Sequence, residues 1–175
     1  VSTLAGQASP GLLDAKGAGA QFNNPYRVAV DAKGDVIVLD TLNHSVRKVT
    51  AGGDVTSLAG AGVAGFQNGT GANARFNRPY SAAVDPGGVI VVADTYNHRI
   101  RRVTDKGVVT TLAGDGNAGF QDGAGAQARF QYPMGVLVDS SGAAIVVDTY
   151  NHRIRTVAVD GSVTTIAGSG IAGML

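Results

Sequence analysis

The sequence repeats itself every 54 residues without a gap. Leu4-Ala5-Gly6 returns as Leu58-Ala59-Gly60, as Leu112-Ala113-Gly114 and, with one change, as Ile166-Ala167-Gly168. Asp40-Thr41-Leu42-Asn43-His44 returns as Asp94-Thr95-Tyr96-Asn97-His98 and Asp148-Thr149-Tyr150-Asn151-His152. Pro25, Pro79 and Pro133 keep the step, as do Asp31, Asp85 and Asp139. The repeats run 1–54, 55–108 and 109–162, and 163–175 begins a fourth. A unit of this size cannot bury its apolar surface alone, so each copy must pack on its neighbours.

Each copy reads as four short strands. In the second, Tyr80–Asp85 follows Pro79, whose missing N–H lies outside the ladder. Asp85-Pro86-Gly87-Gly88 is a turn. Val89–Ala93 is apolar throughout, which predicts a strand covered on both faces. Asp94-Thr95-Tyr96-Asn97 turns the chain into Arg99–Thr104, and Asp105-Lys106-Gly107 leads into Val108–Ala113. Helix formers are scarce among 26 glycines, and no stable helix is expected. Four antiparallel strands per tandem copy predict an all-β fold of β-propeller blades, three of them present as part of a ring. The long connection from Gly60 to Asn77 recurs from Gly114 to Gln131. Phe66, Phe76, Phe120 and Phe130 are expected to pin these inserts onto the blades. Ala72, Ala74, Ala126 and Ala128 leave room for one short helical turn.

Composition narrows the chemistry. The formal net charge is +1, and no charged block suggests a charge-driven partner. There is no Cys, which excludes disulfides and Cys-ligated metal sites. The longest apolar runs, such as Val89–Ala93, fall far short of the ~20 residues of a membrane helix, so no membrane span is expected.

The Asp-Thr-Tyr-Asn-His-Arg-Ile-Arg segment at 94–101 resembles the NHL repeat, named for an Asn-His-Leu signature. Here Ser45, Arg99 and Arg153 stand at the third letter. The Pro-x-x-Val/Ala-x-Val-Asp start of each copy is also similar to that family, and the resemblance covers essentially the whole chain. It implies a propeller, most often six-bladed, acting as a non-catalytic scaffold for a protein or glycan partner. The long inserts are similar to NHL variants of bacterial and extracellular multidomain proteins, which implies an extracellular or periplasmic location. The scarcity of Lys, 4 against 10 Arg, and the missing Cys point the same way. Three blades do not close a ring of four to eight. Further blades in the same chain, or a second copy, must complete it. Val1–Gly6 reads as a strand four without its own blade, and the chain stops inside an insert at Gly173-Met174-Leu175. Both features favour a segment of a larger multidomain protein.

Comparison of the copies separates structural from functional residues. Asn43-His44, Asn97-His98 and Asn151-His152 recur identically, so each His is expected to bond within its own turn rather than join a metal cluster. Asp40, Asp94 and Asp148 are expected to pair with Arg47, Arg101 and Arg155. Asp115, Asn117 and Asp122 of the third insert are oxygen ligands in type, but their spacing matches no cation loop, and no cofactor is expected. Gly114 to Gly119 fits Gly-x-Gly-x-x-Gly without the helix that gives the pattern meaning. The stretch flanking Pro varies most: Asn24, Tyr26 and Arg27, then Arg78 and Tyr80, then Tyr132 and Met134. Antiparallel connectivity puts this flank on one face with the inserts and the Asp-Thr-x-Asn-His turns. These seven residues are the candidate ligand contacts. Two alternatives come from the resemblance. One is a metal-dependent lyase or hydrolase, disfavoured because no His lies outside the repeated turns. The other is RNA binding through Arg99, Arg101, Arg102, Arg153 and Arg155, disfavoured by the near-neutral charge.

Overall fold

A computed structural model describes residues 1–173. The last two residues of the partial fourth repeat, 174 and 175, lie outside the described residues. The first blade is β1 (Pro25–Val30), β2 (Val36–Asp40), β3 (Ser45–Val49) and β4 (Val55–Ala59), hydrogen-bonded in that order. The second is preceded by a two-residue strand, β5 (Gly69–Thr70), and consists of β6 (Pro79–Val84), β7 (Ile90–Asp94), β8 (Arg99–Val103) and β9 (Val108–Ala113). The third is β10 (Pro133–Val138), β11 (Ala144–Asp148), β12 (Arg153–Val157) and β13 (Val163–Ala167). All pairings are antiparallel. The fold is an arc of three propeller blades, and the first strands, β1, β6 and β10, adjoin one another along its inner edge. The strands expected for the second copy match within one residue, and β7 is buried along its whole length. Numbered repeats and blades differ in phase, because the repeat boundaries fall at the head of strand four.

Two details depart from expectation. Val1–Gly6 joins no ladder, since no strand three stands beside it among the described residues. The second sheet has a fifth strand because β5, from the insert, pairs with Val108 and Val109 of β9. Bridges from Lys16 to Asp54 and from Gly123 to Val163 repeat this contact in the other two blades. Each insert thus covers the outer edge of the blade that follows it, an edge otherwise open to pairing with other chains. Among the described residues there are five one-turn 3-10 helices, at Gly17–Gly19, Thr41–Asn43, Gly71–Asn73, Thr95–Asn97 and Thr149–Asn151.

The cores lie between blades, not within them. Ile37, Leu39, Val46 and Ala59 of the first blade pack on Ala74, Phe76, Ala82, Ile90, Val92, Val103 and Val109 of the second insert and blade. The core between the second and third blades contains the corresponding residues shifted by one repeat, from Val91 and Ala93 to Phe130, Val157 and Val163. Phe76 and Phe130 are fully buried, as their place in the inserts suggested. Tight turns serve the same joint. Gly107, at φ +75°, lies where a Cβ would collide with the Leu58 carbonyl oxygen of the preceding blade.

A buried node ties each insert to its own blade. Asp94 Oδ2 accepts Arg101 Nη1 at 2.7 Å and Asn97 Nδ2 at 2.8 Å, and Oδ1 accepts the Asn77 N–H at 2.8 Å. Arg101 also donates to the carbonyls of Gln67 and Arg75, and Asn97 to that of Gly65. Asp40–Arg47 and Asp148–Arg155 repeat the pair at 2.7 Å, and all six side chains are inaccessible to solvent. Burial pushes the Asp94 carboxyl up, against the pull of Arg101, and pushes the Arg101 guanidinium down. The pair stays ionised because its charges meet at hydrogen-bond distance and both carboxylate oxygens are donated to. These contacts explain the repeated Asp, Asn and Arg of the motif.

Candidate functional site

The site begins with a β-bulge at the head of each inner strand. Pro25 faces Asp40 and Arg27 faces Leu39, so Tyr26 is the extra residue. Tyr80 and Met134 occupy the same place in the other blades. A bulge bends its strand and re-aims the extra side chain, here toward the face that the inserts and turns share. The residue before each Pro adopts the left-handed region, at φ +52° for Asn24, +46° for Arg78 and +48° for Tyr132. That conformation is strained for Arg and Tyr.

The imidazoles hold these strained residues. His44 Nδ1 accepts the Arg78 N–H at 3.0 Å, and His98 Nδ1 accepts the Tyr132 N–H at 3.2 Å. The imidazoles of His44 and His98 therefore bond across to the next blade, while the backbone N–H of each His closes its own turn on Thr41, Thr95 or Thr149, as expected. Only the folded arc brings residues so distant in sequence together. An Nδ1 that accepts leaves the proton on Nε2, the neutral tautomer. Burial, then the charges of Arg78 and Arg99 respectively, holds both imidazoles below their ordinary pKa.

Around this frame the five tyrosines of the chain form one continuous run. Tyr26 meets Tyr80 edge-on at 4.7 Å between ring centroids, and Tyr80 lies 6.4 Å from Tyr96. Tyr96 meets Tyr132 at 5.1 Å, and Tyr132 meets Tyr150 at 5.0 Å. Arg78 covers the Tyr96 ring at 4.9 Å. Tyr26 is 64% exposed and Tyr150 56%, so the run is packed within itself yet open to solvent. Beneath it a groove of about 290 Å³ is lined by Tyr26, Arg27, Tyr80, Ser81 and Met134 together with apolar residues of β10, β11 and β12.

The structure thus brings Tyr26, Arg27, Tyr80 and Met134 into one groove, joins Tyr132 through its neighbours, and sets Arg78 on the run. Asn24 lies elsewhere, beside Pro25 on the open face of the first blade. Tyr96 and Tyr150 were missed because they sit in the repeated turn. The available signal was the departure of Leu42 from Tyr at that position. Asp115 and Asp122 are engaged by guanidinium groups: Asp115 by Arg129 at 2.8 Å and Asp122 by Arg155 at 2.6 Å. Among the described residues no group of three or more His, Asp or Glu is placed to hold a metal. The strand-three arginines form no open basic strip. Arg101 and Arg155 are fully buried, and Arg99 and Arg153 lie on the rings of Phe66 and Phe120 at 3.7 and 3.8 Å. No helix of the described residues is long and apolar enough to cross a membrane.

Comparison with known proteins agrees with this architecture. The NHL repeat family model matches residues 22–49, 76–103 and 130–156. NHL repeat-containing protein 2 of Gallus gallus is 38% identical over 98 residues, which cover 55% of this chain and 13% of that protein. NHL repeat-containing protein 3 of Homo sapiens is 34% identical over 142 residues, covering 79% and 36%. The chain therefore spans about a third or less of these relatives. Among solved structures, a protein of unknown function from Bacteroides thetaiotaomicron superposes with a TM-score of 0.69 and 26% identity, covering 75% of this chain and 34% of that one. A gluconolactonase from Xanthomonas campestris superposes with a TM-score of 0.61 and 18% identity, covering 95% and 50%, and shares the fold alone. The matched repeats cover the first three strands of each blade and the Asp, Asn and Arg of each node. The chain belongs to the NHL-repeat family and carries three NHL blades of a β-propeller.

Proposed function

We propose that the chain is a non-catalytic binding scaffold that holds a protein or glycan partner on its tyrosine run. One observation carries this reading: all five tyrosines converge on one solvent-open run, with Tyr26 and Tyr80 placed there by strand bulges. Tyr and Arg are the side chains that most often anchor interfaces, and flat rings offer stacking area at little conformational cost. Two of the three imidazoles and the buried aspartates, which a catalyst could use, are occupied structurally. His44 and His98 hold backbone N–H groups, and the buried aspartates hold arginines. By the type of its inserts, we assign the scaffold to the extracellular or periplasmic space; recovery of the natural protein from the cytosol overturns that assignment.

The chain has five Tyr and no Trp, so tyrosine emission reports directly from the site. Titration with panels of oligosaccharides and of tyrosine-free peptides is expected to change that emission for one panel. Tyr80→Ala is expected to abolish the change while leaving the far-ultraviolet dichroism intact. Binding that survives both Tyr80→Ala and Tyr132→Ala places the ligand elsewhere. Turnover of a lactone or cyclic peptide substrate sinks the non-catalytic reading.

A further inference from the structure

Charge is divided between the two sides of the arc. Asp31, Asp85 and Asp139 sit in the turns that join first to second strands, and Asp54, Asp105 and Asp160 in those that join third to fourth. The lysines lie on that same side: Lys33 and Lys106 belong to these turns, Lys48 reaches Asp31 and Asp35, and Lys16 reaches Asp54. On the tyrosine side every aspartate is committed to an arginine. Asp40, Asp94 and Asp148 are held in the nodes, and Asp14, Asp115 and Asp122 meet Arg47, Arg129 and Arg155. No aspartate there is left to answer the cations on the tyrosine run.

Those cations are Arg27 and Arg78. Both stand where the first blade meets the second: Arg27 lines the groove beside Tyr80 and Ser81, and Arg78 is held by His44 and covers the Tyr96 ring. Both are exposed, and among the described residues neither guanidinium has an acid or a hydrogen-bond acceptor. Neither charge serves its blade. The other copies carry Ser81 and Gly135 at the place of Arg27, and Asn24 and Tyr132 at the place of Arg78. Arg78 also occupies the left-handed region at φ +46°, which Asn24 adopts with ease at +52° and an arginine does not. Backbone strain of this kind collects at binding sites. Among the described residues none of the five tyrosine hydroxyls has a protein partner either, so the run presents five open phenols beside two open guanidinium groups.

We propose that the ligand of the tyrosine run is an acidic glycan, with uronate carboxylates on Arg27 and Arg78 and sugar rings on the neighbouring phenols. This rests on the run being the binding surface and adds the chemical class of what it takes. The guanidinium fork matches a carboxylate, and a tyrosine ring offers a pyranose an apolar face and a polar tip. An extended peptide gains most from open backbone groups with which to pair. Here the N–H groups of Arg78, Tyr96, Tyr132 and Tyr150 are all taken, by His44, Asn77, His98 and Gln131. A nucleic-acid strand needs cations along its whole backbone, and the lysines lie on the far side.

The test is calorimetric titration of the chain with tetrasaccharides of galacturonate, mannuronate and glucuronate, and with the same tetrasaccharides after each carboxyl is reduced to the alcohol. At least one acidic tetrasaccharide is expected to bind about tenfold more tightly than its reduced form. Arg27→Gln and Arg78→Gln are each expected to weaken the acidic ligand about tenfold and to leave the reduced one unchanged. Arg78→Asn, which copies Asn24, is expected to lose the same affinity while melting no lower than the unmodified chain, an outcome that a structural role for Arg78 does not give. Reduced forms that bind as tightly as the acidic ones, with binding lost in Tyr80→Ala, overturn the acidic ligand and leave the scaffold reading standing. Tighter binding of a tetra-aspartate peptide or of a single-stranded oligonucleotide overturns the glycan. No binding of any acidic tetrasaccharide overturns the inference by itself. Binding that survives both Tyr80→Ala and Tyr132→Ala overturns the scaffold reading with it.

Discussion

His98 Nδ1 accepts the Tyr132 N–H at 3.2 Å, so a side chain in the turn of one blade holds the entry to the inner strand of the next. The same bond joins His44 to Arg78. These bonds make the joints sensitive to pH. Both imidazoles are held below the ordinary value, by burial first and then by Arg78 or Arg99, while Asp148 pulls His98 the other way. The unfolded chain thus takes up these protons more readily than the folded one. The contribution is complete above about pH 6.5 and is lost as pH falls toward the lower folded-state value. A protonated Nδ1 is a donor and no longer accepts the N–H. The melting temperature is expected to drop between about pH 7.5 and 5.5, with a shallower slope in the His44→Ala, His98→Ala variant. A flat profile in the unmodified chain contradicts this account.

Arg101→Met leaves the Asp94 carboxylate buried without its cation, along with the carbonyls of Gln67 and Arg75. Breaking a buried pair from one side is expected to destabilise by about 3–5 kcal/mol, measured by denaturant unfolding. Replacing both partners by apolar residues recovers part of that loss. A single-variant loss below about 1 kcal/mol shows that the node orders the insert without stabilising the fold.

Periodicity made the blades legible because each strand, turn and core residue is set by its neighbours within or one repeat away. Phe76 and Asp94 could be placed from their recurrence alone. The site was half legible. Tyr26, Tyr80 and Met134 stood out because the copies disagree there, and the bulge that re-aims them is invisible to pattern. Tyr96 and Tyr150 were hidden by an otherwise constant motif. The partner of each His was not legible either, because the bond joins residues 34 apart across a joint that exists only when blades pack. β5 carries no apolar alternation in Gly69-Thr70 and is created by the open edge of β9.

The second and third blades share a pair that the first lacks. Arg99 lies 3.7 Å from the centre of the Phe66 ring, and Arg153 lies 3.8 Å from that of Phe120. In the first blade both positions change together, to Ser45 and Leu12. Ser45 Oγ instead donates to the Asn43 carbonyl, which Arg99 and Arg153 match with their own bonds to Asn97 and Asn151. A double-mutant cycle of Phe66→Leu and Arg99→Ser is expected to give a coupling of about 1 kcal/mol. Additivity of the two changes shows that the ring and the guanidinium merely lie near each other.

Asn68 is the odd member of another series. Asp14 accepts the Ser57 N–H at 2.8 Å as well as Arg47, and Asp122 accepts the Thr165 N–H at 3.1 Å as well as Arg155. Asn68 Oδ1 accepts Arg101 at 2.8 Å and Thr111 Oγ1 at 3.3 Å, but its other terminal atom is a donor and cannot take the Thr111 N–H. Arg155 Nε reaches Asp122, whereas Arg101 Nε, like Arg47 Nε beside Asp14, is left without a partner. Asn68→Asp replaces the misplaced donor with an acceptor and turns a neutral acceptor for a buried guanidinium into a charged one. The variant is expected to gain about 1 kcal/mol at neutral pH. That gain should vanish as acid protonates the new carboxylate, so unfolding at neutral and at acidic pH separates it from a simple packing effect. A loss of stability at neutral pH shows that the Arg101 charge is already satisfied by Asp94 alone.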